Sequence, residues 1–545
     1  MILDYHKNTG AFSLRVPRSS GLDPNTLMRE HGLDFAVTLS NNSTAVMMTH
    51  EPYAAASFGE YATPAARGEL HGILTEIENS RKLTSGAHIR CPADKELWDF
   101  QKADIEYALR RRNTLVGDQP GLGKTPIGIC FANEISAKRV LVICPASVRI
   151  QWVKRIREWT TLRWPYTVHS ILHSRHGVHP AAEWTVVSYD LARTAAIGSA
   201  LAKGTYDLLI LDEAHYLKTP DAGRTRAIFG GGRDRAFDPI ASRCGAVLAL
   251  TGTPLPNRPR EAFTLAKALC HDSIDFMGQE AFEHRFNPSV KGERVDPVTG
   301  RTKIFVDERS GRHGELQNRL RANFMTRHLK REVMPWLKMP VYDLIELDES
   351  GAAVKAALEA ESLLGINPDD IEDGDFEMLG HLSVVRKQLG IALAPQIADY
   401  IDDLIDGGEE KLVVFAWHIE VLNILQERWQ KHNVLRIDGS TSSVRKDRIV
   451  QQFIKEPRHR IILGNILAMG TGVDGLQDVA SHALIAEPDW TPGNNIQCFD
   501  RLDRGTQQRT VQGDIFVAPS SLAARILKKA LTKLQTTDKA LDRRY

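Results

Sequence analysis

Two short stretches of this chain carry residue types at spacings that suit phosphate chemistry. The first, Asp118 to Thr125, reads DQPGLGKT, follows the apolar Leu115-Val116 and precedes the helix-compatible PIGICFANEI. Closely spaced glycines let backbone N–H groups approach phosphate oxygens, and the N-terminus of the following helix adds positive potential. In such a cradle, built from Asp118, Gln119, Pro120, Gly121, Leu122 and Gly123, Lys124 reaches the β- and γ-phosphates and the Thr125 hydroxyl can ligate Mg²⁺. The pattern G-x-x-x-x-G-K-[ST] asks for Gly at position 118 and finds Asp118. On its own the loop also reads as a Gly-rich turn capping a structural helix. The second stretch, Leu208 to His215 (LLILDEAH), places two carboxylates at the C-terminal end of a buried strand, where ligands sit in open α/β sheets. Asp212 would hold Mg²⁺, usually through water, and Glu213 would orient or deprotonate an attacking water. Alone, the acidic pair also reads as a helix N-cap.

Both stretches need strands to position them. From about residue 110 onward, short and nearly continuous apolar runs alternate with helical patterns: RVLVICP (139–145), DLLILD (207–212) and GAVLAL (245–250), then KLVVF (411–415), RIIL (460–463) and HALIA (482–486). Strands without polar alternation are covered on both faces, as in parallel sheets flanked by helices. Two such series predict two α/β lobes. Between them, Glu261 to about Gln396 reads as a helical insertion and linker, with GELQNRLRANFMTRHLKREV as one helical segment and an acidic loop near Asn367 to Asp375. Near the start, Phe12, Leu14 and Val16, and then Phe35, Val37 and Leu39, alternate with polar residues before the turn cluster Ser40 to Ser43, which predicts a small hairpin-containing α+β module.

The whole chain bounds the chemistry further. Its 545 residues suggest three or four units by length, and 69 Lys+Arg against 68 Asp+Glu leave it nearly neutral, so a uniformly basic nucleic-acid coat is excluded and any such binding must be local. The six cysteines (91, 130, 144, 244, 270, 498) form no C-x-x-C pair and read as buried reduced thiols. No signal-like start and no run of about 18 apolar residues is present, which predicts a soluble cytoplasmic protein with no membrane partner.

Other segments fall in an order that resembles the superfamily-two helicases, and more narrowly the Swi/Snf-type ATPases. Gln101 in LWDFQKADIEYAL matches the family's adenine-reading glutamine, VICPASVRIQW (142–152) its motif Ia, and TGTPLPN (251–257) its motif III. MTRHLKREVMPWLKMP (325–340) resembles the arginine-lysine linker segment and SVVRKQLGIA (383–392) the helix entering the second lobe. VVFAWH (413–418), RIDGSTS (436–442) and GTGVDGLQ (470–477) follow as motif IV, the next strand and turn, and motif V, with QCFDRLDRGTQ (497–507) as motif VI. Arg501 and Arg504 lie three apart, so on a helix they share one face and can both point at a γ-phosphate bound by the other lobe. Three departures stand out: in motif VI Asp503 takes the place of the family's histidine and Gly505-Thr506-Gln507 that of IGQ, and in motif V Asp474 takes the place of a glycine.

The resemblance spans about residues 95 to 518. It implies two RecA-like lobes, lobe one over residues 91–340 with an insertion from about 258 and lobe two with its linker over 341–545, while residues 1–90 lie outside it and read as an accessory module, for substrate recognition or as a cap on lobe one. It implies ATP and Mg²⁺ as ligands, with Lys124, Asp212, Glu213, Arg501 and Arg504 as the catalytic set, His215, Thr251, Thr253 and Gln497 in coupling, and Ser147 and Thr471 on a DNA backbone. The implied activity is translocation on duplex or branched DNA without strong sequence preference, and single-stranded DNA is a further candidate. NRPREAF (257–263) resembles the annealing-helicase branch. A strand-separating helicase, a polymerase-displacing motor and a catalytically silent DNA-binding scaffold stay open, and protein partners are not indicated. Smaller features carry two readings each: a basic hairpin at 291–312 as DNA pin or solvated hairpin, the Trp490 loop as stacking platform or packing, and a basic amphipathic helix over 523–544 as phosphate contact or docked tail. Arg110-Arg111-Arg112 reads as a helix C-terminus.

Overall fold

The computed structural model describes residues 1–7, 9–31, 35–38, 44–161, 166–231, 237–254, 258–295, 302–308, 312–364, 376–430, 433–470, 473–489, 492–525 and 527. Thr471, Asn257, Trp490, the acidic loop and nearly all of the 523–544 segment lie outside these residues.

The N-terminal strands β1 (Ile2–His6), β2 (Ala11–Pro17), β3 (Phe35–Thr38) and β4 (Thr44–Thr49) form an antiparallel sheet in the order β1-β2-β4-β3. The alternation in β2 turns Phe12, Leu14 and Val16 inward, where they meet Met47 and Leu70, the latter on the helix Pro64–Asn79. Thr63 starts that helix by accepting a hydrogen bond from Ala66 N at 3.3 Å, with Pro64 in its first turn. The module docks on the insertion through His50, which meets Arg285 at 2.9 Å, and through Glu51 with Asn318.

Lobe one contains β5 (Asn113–Val116), β6 (Val140–Cys144), β7 (Val168–Ile171), β8 (Trp184–Ser188), β9 (Tyr206–Asp212) and β10 (Cys244–Leu250). A two-stranded antiparallel hairpin, β11 (Ser289–Val295) with β12 (Thr302–Glu308), interrupts the chain where the basic hairpin is expected. The lobe is then completed by β13 (Met325–Thr326), giving a parallel sheet in the order β13-β5-β10-β9-β6-β8-β7. The absence of polar alternation has its reason in β9: Leu209 and Leu211 enter one apolar core while Leu208 and Ile210 enter another on the opposite face. Burial on both faces makes each of these side chains worth roughly 1.5–3 kcal/mol.

Lobe two repeats the arrangement with β14 (Val341–Glu346), β15 (Leu412–Ala416), β16 (Leu435–Ile437), β17 (Ile461–Asn465), β18 (His482–Ile485) and β19 (Gln512–Val517), parallel throughout, in the order β14-β19-β18-β15-β17-β16. The six cysteines are free thiols. Among the described residues no helix is long and apolar enough to cross a membrane.

The segment between the lobes corrects the sequence reading. GELQNRLRANFMTRHLKREV is not one helix: a helix His313–Asn323 stops at Phe324, Met325-Thr326 extends beside β5, and a short helix Lys330–Val333 follows. Phe324 and Met325 are fully buried against the first lobe, and burying them requires the chain to leave the helix. The same segment supplies β14, so the linker contributes an edge strand to each sheet. The arginine triple is structural as expected from the helix end: Arg111 lies 3.4 Å over the Tyr107 ring and donates to Asn323 O, while Arg112 donates to Gly245 O.

Candidate active site

The loop after β5 leads into the helix Lys124–Glu134 through two glycines in left-handed backbone, Gly121 (φ +87°) and Gly123 (φ +74°). A Cβ at Gly123 would lie 2.5 Å from Gln101 Nε2, so the position admits no side chain. Gln101, on the helix Asp99–Leu109, fastens the loop from below: Nε2 donates to Leu122 O (3.0 Å) and Gly123 O (3.4 Å), and Oε1 accepts from Trp98 N (3.0 Å). Its amide is thus engaged by the protein itself, a role that the expectation of an adenine-reading glutamine did not include. Leu122 anchors the loop in an apolar contact with Phe100 and Met334.

Lys124 bends back so that Nζ donates to the carbonyls of Asp118 (2.7 Å) and Gln119 (3.2 Å). Burial lowers its pKa, and the nearby carboxylates of Glu213, Asp118 and Asp212 oppose that shift. Asp118 corrects the sequence expectation. Its carboxylate is turned away from the cradle and accepts from His328 N (2.8 Å), with the His328 ring Nδ1 at 3.1 Å from Asp118 and 3.4 Å from Asp104. The other ring nitrogen lies 3.0 Å from Lys82 O. All three side chains are buried. Burial disfavours the imidazolium, but the two carboxyl groups outweigh it and raise the His328 pKa. Burial and the Asp118 charge push Asp104 up to about 7, whereas Asp118 is held ionised by His328 against its own burial. The three ligand atoms gather within 4.8 Å of one another, with the His328 ring nitrogen close to both carboxyl groups.

At the end of β9 the backbone of Glu213 is left-handed (φ +52°, ψ +52°), a conformation that costs a residue other than glycine about 1 kcal/mol or more. Surrounding bonds hold it there: Tyr189 Oη donates to Asp212 O (2.8 Å), Trp152 Nε1 to Asp212 Oδ2 (2.7 Å) and Glu213 N to Asp212 Oδ1 (3.1 Å). Glu213 then lies 3.3 Å from His215 Nδ1, which is 3.0 Å from Thr251 Oγ1 and 3.3 Å from Thr253 Oγ1. The four residues form a chain from the acidic pair to the end of β10. Burial, with the Glu213 charge, pushes Asp212 up to about 6. For Glu213, burial is outweighed by His215, Lys124 and Arg501, and its carboxyl is held below the usual range.

The facing wall comes from lobe two. The helix Pro492–Phe499 ends before Arg501 and Arg504, which sit in the turns that follow it. Their common direction is therefore not set by helical period. It is set by carbonyl anchors: Arg501 Nε donates to Gln497 O and Arg504 Nε to Asp500 O, both at 3.1 Å, and each guanidinium donates to Val473 O at 3.2 Å. Burial, followed by the neighbouring Arg504, pulls Arg501 down to about 10.

Between the walls lies a cavity of about 470 Å³. Lobe one lines it with Gln101, Pro120, Gly121, Gly123, Lys124, Thr125, Asp212 and Glu213, and lobe two with Asp474, Gln497, Arg501 and Arg504. Among the described residues, Lys330, Arg155 and Trp98 of the first lobe all make contacts across the seam. Lys330 Nζ reaches Asp500 (2.5 Å) and Asp503 (2.6 Å), Arg155 reaches Asp474 (2.5 Å), and Trp98 packs on Gly505, where a Cβ would meet its ring at 2.5 Å. Ser147 lies in the turn Ala146–Val148 after β6; it does not line the cavity, although the adjacent Val148 does. Sequence reasoning passed over Trp152, Tyr189, Asp104 and His328, because no spacing rule links residues so distant along the chain.

The model of the SNF2-related domain matches residues 29–352, and that of the helicase conserved C-terminal domain matches residues 396–506. The mouse DNA annealing helicase and endonuclease ZRANB3 is 30% identical over 460 residues, covering 82% of this chain and 41% of that protein. The SWI/SNF-related matrix-associated actin-dependent regulator of chromatin subfamily A-like protein 1 of Xenopus tropicalis is 28% identical over 431 residues, covering 77% of this chain and 42% of its own. The chain thus spans about two fifths of the length of these relatives. Among solved structures, the Sulfolobus solfataricus SWI2/SNF2 ATPase core in complex with dsDNA aligns with a TM-score of 0.38 at 15% identity, over 85% of this chain and 100% of that one.

Replacing His328 by Leu leaves Asp118 buried without its cation. The expected cost is about 3–5 kcal/mol of unfolding free energy, measured by urea denaturation of the variant against the parent; an unchanged midpoint refutes the ionic account of this cluster.

Proposed function

We propose, starting from the fact that this chain belongs to the SNF2-related family, that it is an ATP-driven motor on DNA. One observation carries the reading. The phosphate loop, the Asp212–Glu213 pair and the two arginines line a single cavity although they belong to two different sheets.

ATP is the substrate that fits this cavity, with its phosphates at the loop and its terminal phosphate between Lys124 and Arg501. Two adjacent half-buried carboxyl groups face one ammonium on the first wall, a donor set that suits a divalent cation. Thr125 and Asp212 would hold Mg²⁺, which supplies charge neutralisation on the phosphates. Glu213, held ionised by His215, orients the attacking water and accepts its proton on a carboxylate oxygen. Arg501 and Arg504 stabilise the charge that builds on the transferred group, an effect worth about 10³ to 10⁵ in rate, or roughly 4–7 kcal/mol. The chain Glu213–His215–Thr251–Thr253 ties the state of the terminal phosphate to the end of β10, and the arginines tie it to lobe two. Binding and release of one phosphate thereby move the lobes relative to each other.

The track is DNA, on the strength of the family and of the words DNA annealing helicase in the mouse relative's name. Backbone contacts from Ser147 and Thr471 give sequence-tolerant, salt-sensitive binding. Fork remodelling or strand annealing on duplex or branched DNA is the favoured task.

Glu213→Gln should bind ATP as the parent does and lose hydrolysis, and Arg504→Ala should reduce turnover at least about tenfold, both read in a phosphate-release assay. Lys124→Ala should weaken nucleotide affinity in a fluorescence titration; no loss removes the cradle from this account. Hydrolysis measured without DNA and with single-stranded, duplex and forked DNA should rise in that order. A rate indifferent to DNA overturns the motor reading, and net strand separation without reannealing replaces annealing by unwinding.

A further inference from the structure

The two arginines of the second wall are not equivalent. Among the described residues no carboxylate forms an ion pair with Arg501, which is half-buried at the seam, whereas Arg504 is paired through Nη1 with Asp474 Oδ1. The other oxygen of that carboxylate, Oδ2, accepts from Arg155 Nη2 at 2.5 Å. Arg155 belongs to the helix Arg149–Trp159 of lobe one and is steadied by Glu158 at 2.8 Å. A single carboxylate thus bridges guanidinium groups of both lobes inside the cavity. Its side chain keeps about a third of its surface accessible, so the bridge is reachable from the cleft rather than sealed in a core. Burial opposes the Asp474 charge, but Arg504 and Arg155, with Arg501 behind them, outweigh it and hold the carboxyl far below its usual range.

We infer that Asp474 is a positioning residue that occupies, within the resting protein, the electrostatic place of the terminal phosphate: it holds Arg504 against the cleft wall and tethers it to Arg155 until a nucleotide displaces it. The inference rests on Arg504 being a group that meets the terminal phosphate. Two anions compete for one guanidinium, and a phosphate carrying more charge and more acceptor oxygens than a carboxylate prevails. A nucleoside diphosphate, lacking that group, leaves the Asp474–Arg504 pair in place. Asp474 therefore lowers the affinity for the triphosphate, which needs Arg504 free, leaves that for the diphosphate nearly untouched, and so narrows the difference between the two. The tether to Arg155 has a second effect, since it draws the lobes together before any nucleotide is present. The geometry also gives a physical reason for an aspartate where the family has glycine, because glycine at position 474 leaves Arg155 and Arg504 without the shared anion.

The test uses the full chain with one fluorophore on each lobe, and compares Asp474→Asn and Arg155→Gln with the parent. Without nucleotide, both variants should show a longer and broader inter-lobe distance, because either change cuts the tether. With ADP and beryllium fluoride, a terminal-phosphate mimic, all three proteins should reach the same closed distance. In equilibrium titrations, Asp474→Asn should tighten a non-hydrolysable ATP analogue relative to ADP by about three- to tenfold, the scale of a partly exposed ion pair. Arg155→Gln, which leaves the Asp474–Arg504 pair intact, should not raise that ratio. A purely structural role for Asp474 weakens both nucleotides alike and overturns the inference, as does an unchanged distance in both variants. If the parent itself prefers the analogue no more than ADP, and Arg504→Ala changes nothing, the motor reading has failed instead; if the parent prefers the analogue through Arg504 and Asp474→Asn leaves the ratio untouched, only the present inference has failed.

Discussion

Neither wall of the central cleft neutralises itself, and the rest of the molecule is arranged around that imbalance. Lobe one brings two carboxyl groups to a single ammonium, and lobe two brings two guanidinium groups to a single carboxylate. Burial makes each surplus expensive, which shows in Asp212 being pushed up to about 6 and Arg501 down to about 10. The two excesses are of opposite sign and face each other, so closing the lobes relieves both, and a ligand that carries anionic and cationic parts relieves them further. The glycines of the loop, the left-handed Glu213 and the carbonyl anchors of the arginines all serve to keep charged groups at positions they would not choose alone.

Much of this was legible in the sequence. Apolar runs such as those around Val142, Ile210 and Val414 mark strands covered on both faces, since no polar residue interrupts them, and each one became a parallel strand. The phosphate loop and the acidic pair were visible because their chemistry depends on local spacing. What escaped was long-range. Asp118 looked like a flaw in the loop, and its partner His328 lies on the other side of the insertion. Arg501 and Arg504 looked like a helix face, but the helix stops at Phe499, and Asp500 and Asp503 are needed by Lys330 instead. Met325 and Thr326 sat within a helical pattern that the pull of the lobe-one core overrode.

Two of the positions at which motifs V and VI depart from the family become intelligible together. Asp474 and Asp503 both sit at the seam, and both meet a basic residue of lobe one, Arg155 and Lys330. The Lys330 contact is nearly sealed, while the Arg155 contact opens on the cleft. One holds the lobes in register as a buried pair does, by the high cost of separating it, and the other is placed where a bound ligand can compete. Trp98 against Gly505 adds an apolar contact at the same seam, beside the end of the helix that carries Gln101.

The strand exchange at the linker has a bearing on how the protein is born. Lobe one gains its last strand, Met325–Thr326, well before the midpoint of the second lobe has been translated. Strand β14 follows, but among the described residues its one neighbour in the sheet is β19, which is translated about 170 residues later. Until then Val341, Tyr342 and Leu344, which stay 43–48% exposed even in the finished protein, have nothing to pair with. Vectorial synthesis thus completes the strands of lobe one before those of lobe two, and the nascent chain carries an open strand edge for the interval between β14 and β19, the stage at which a chaperone has most to protect.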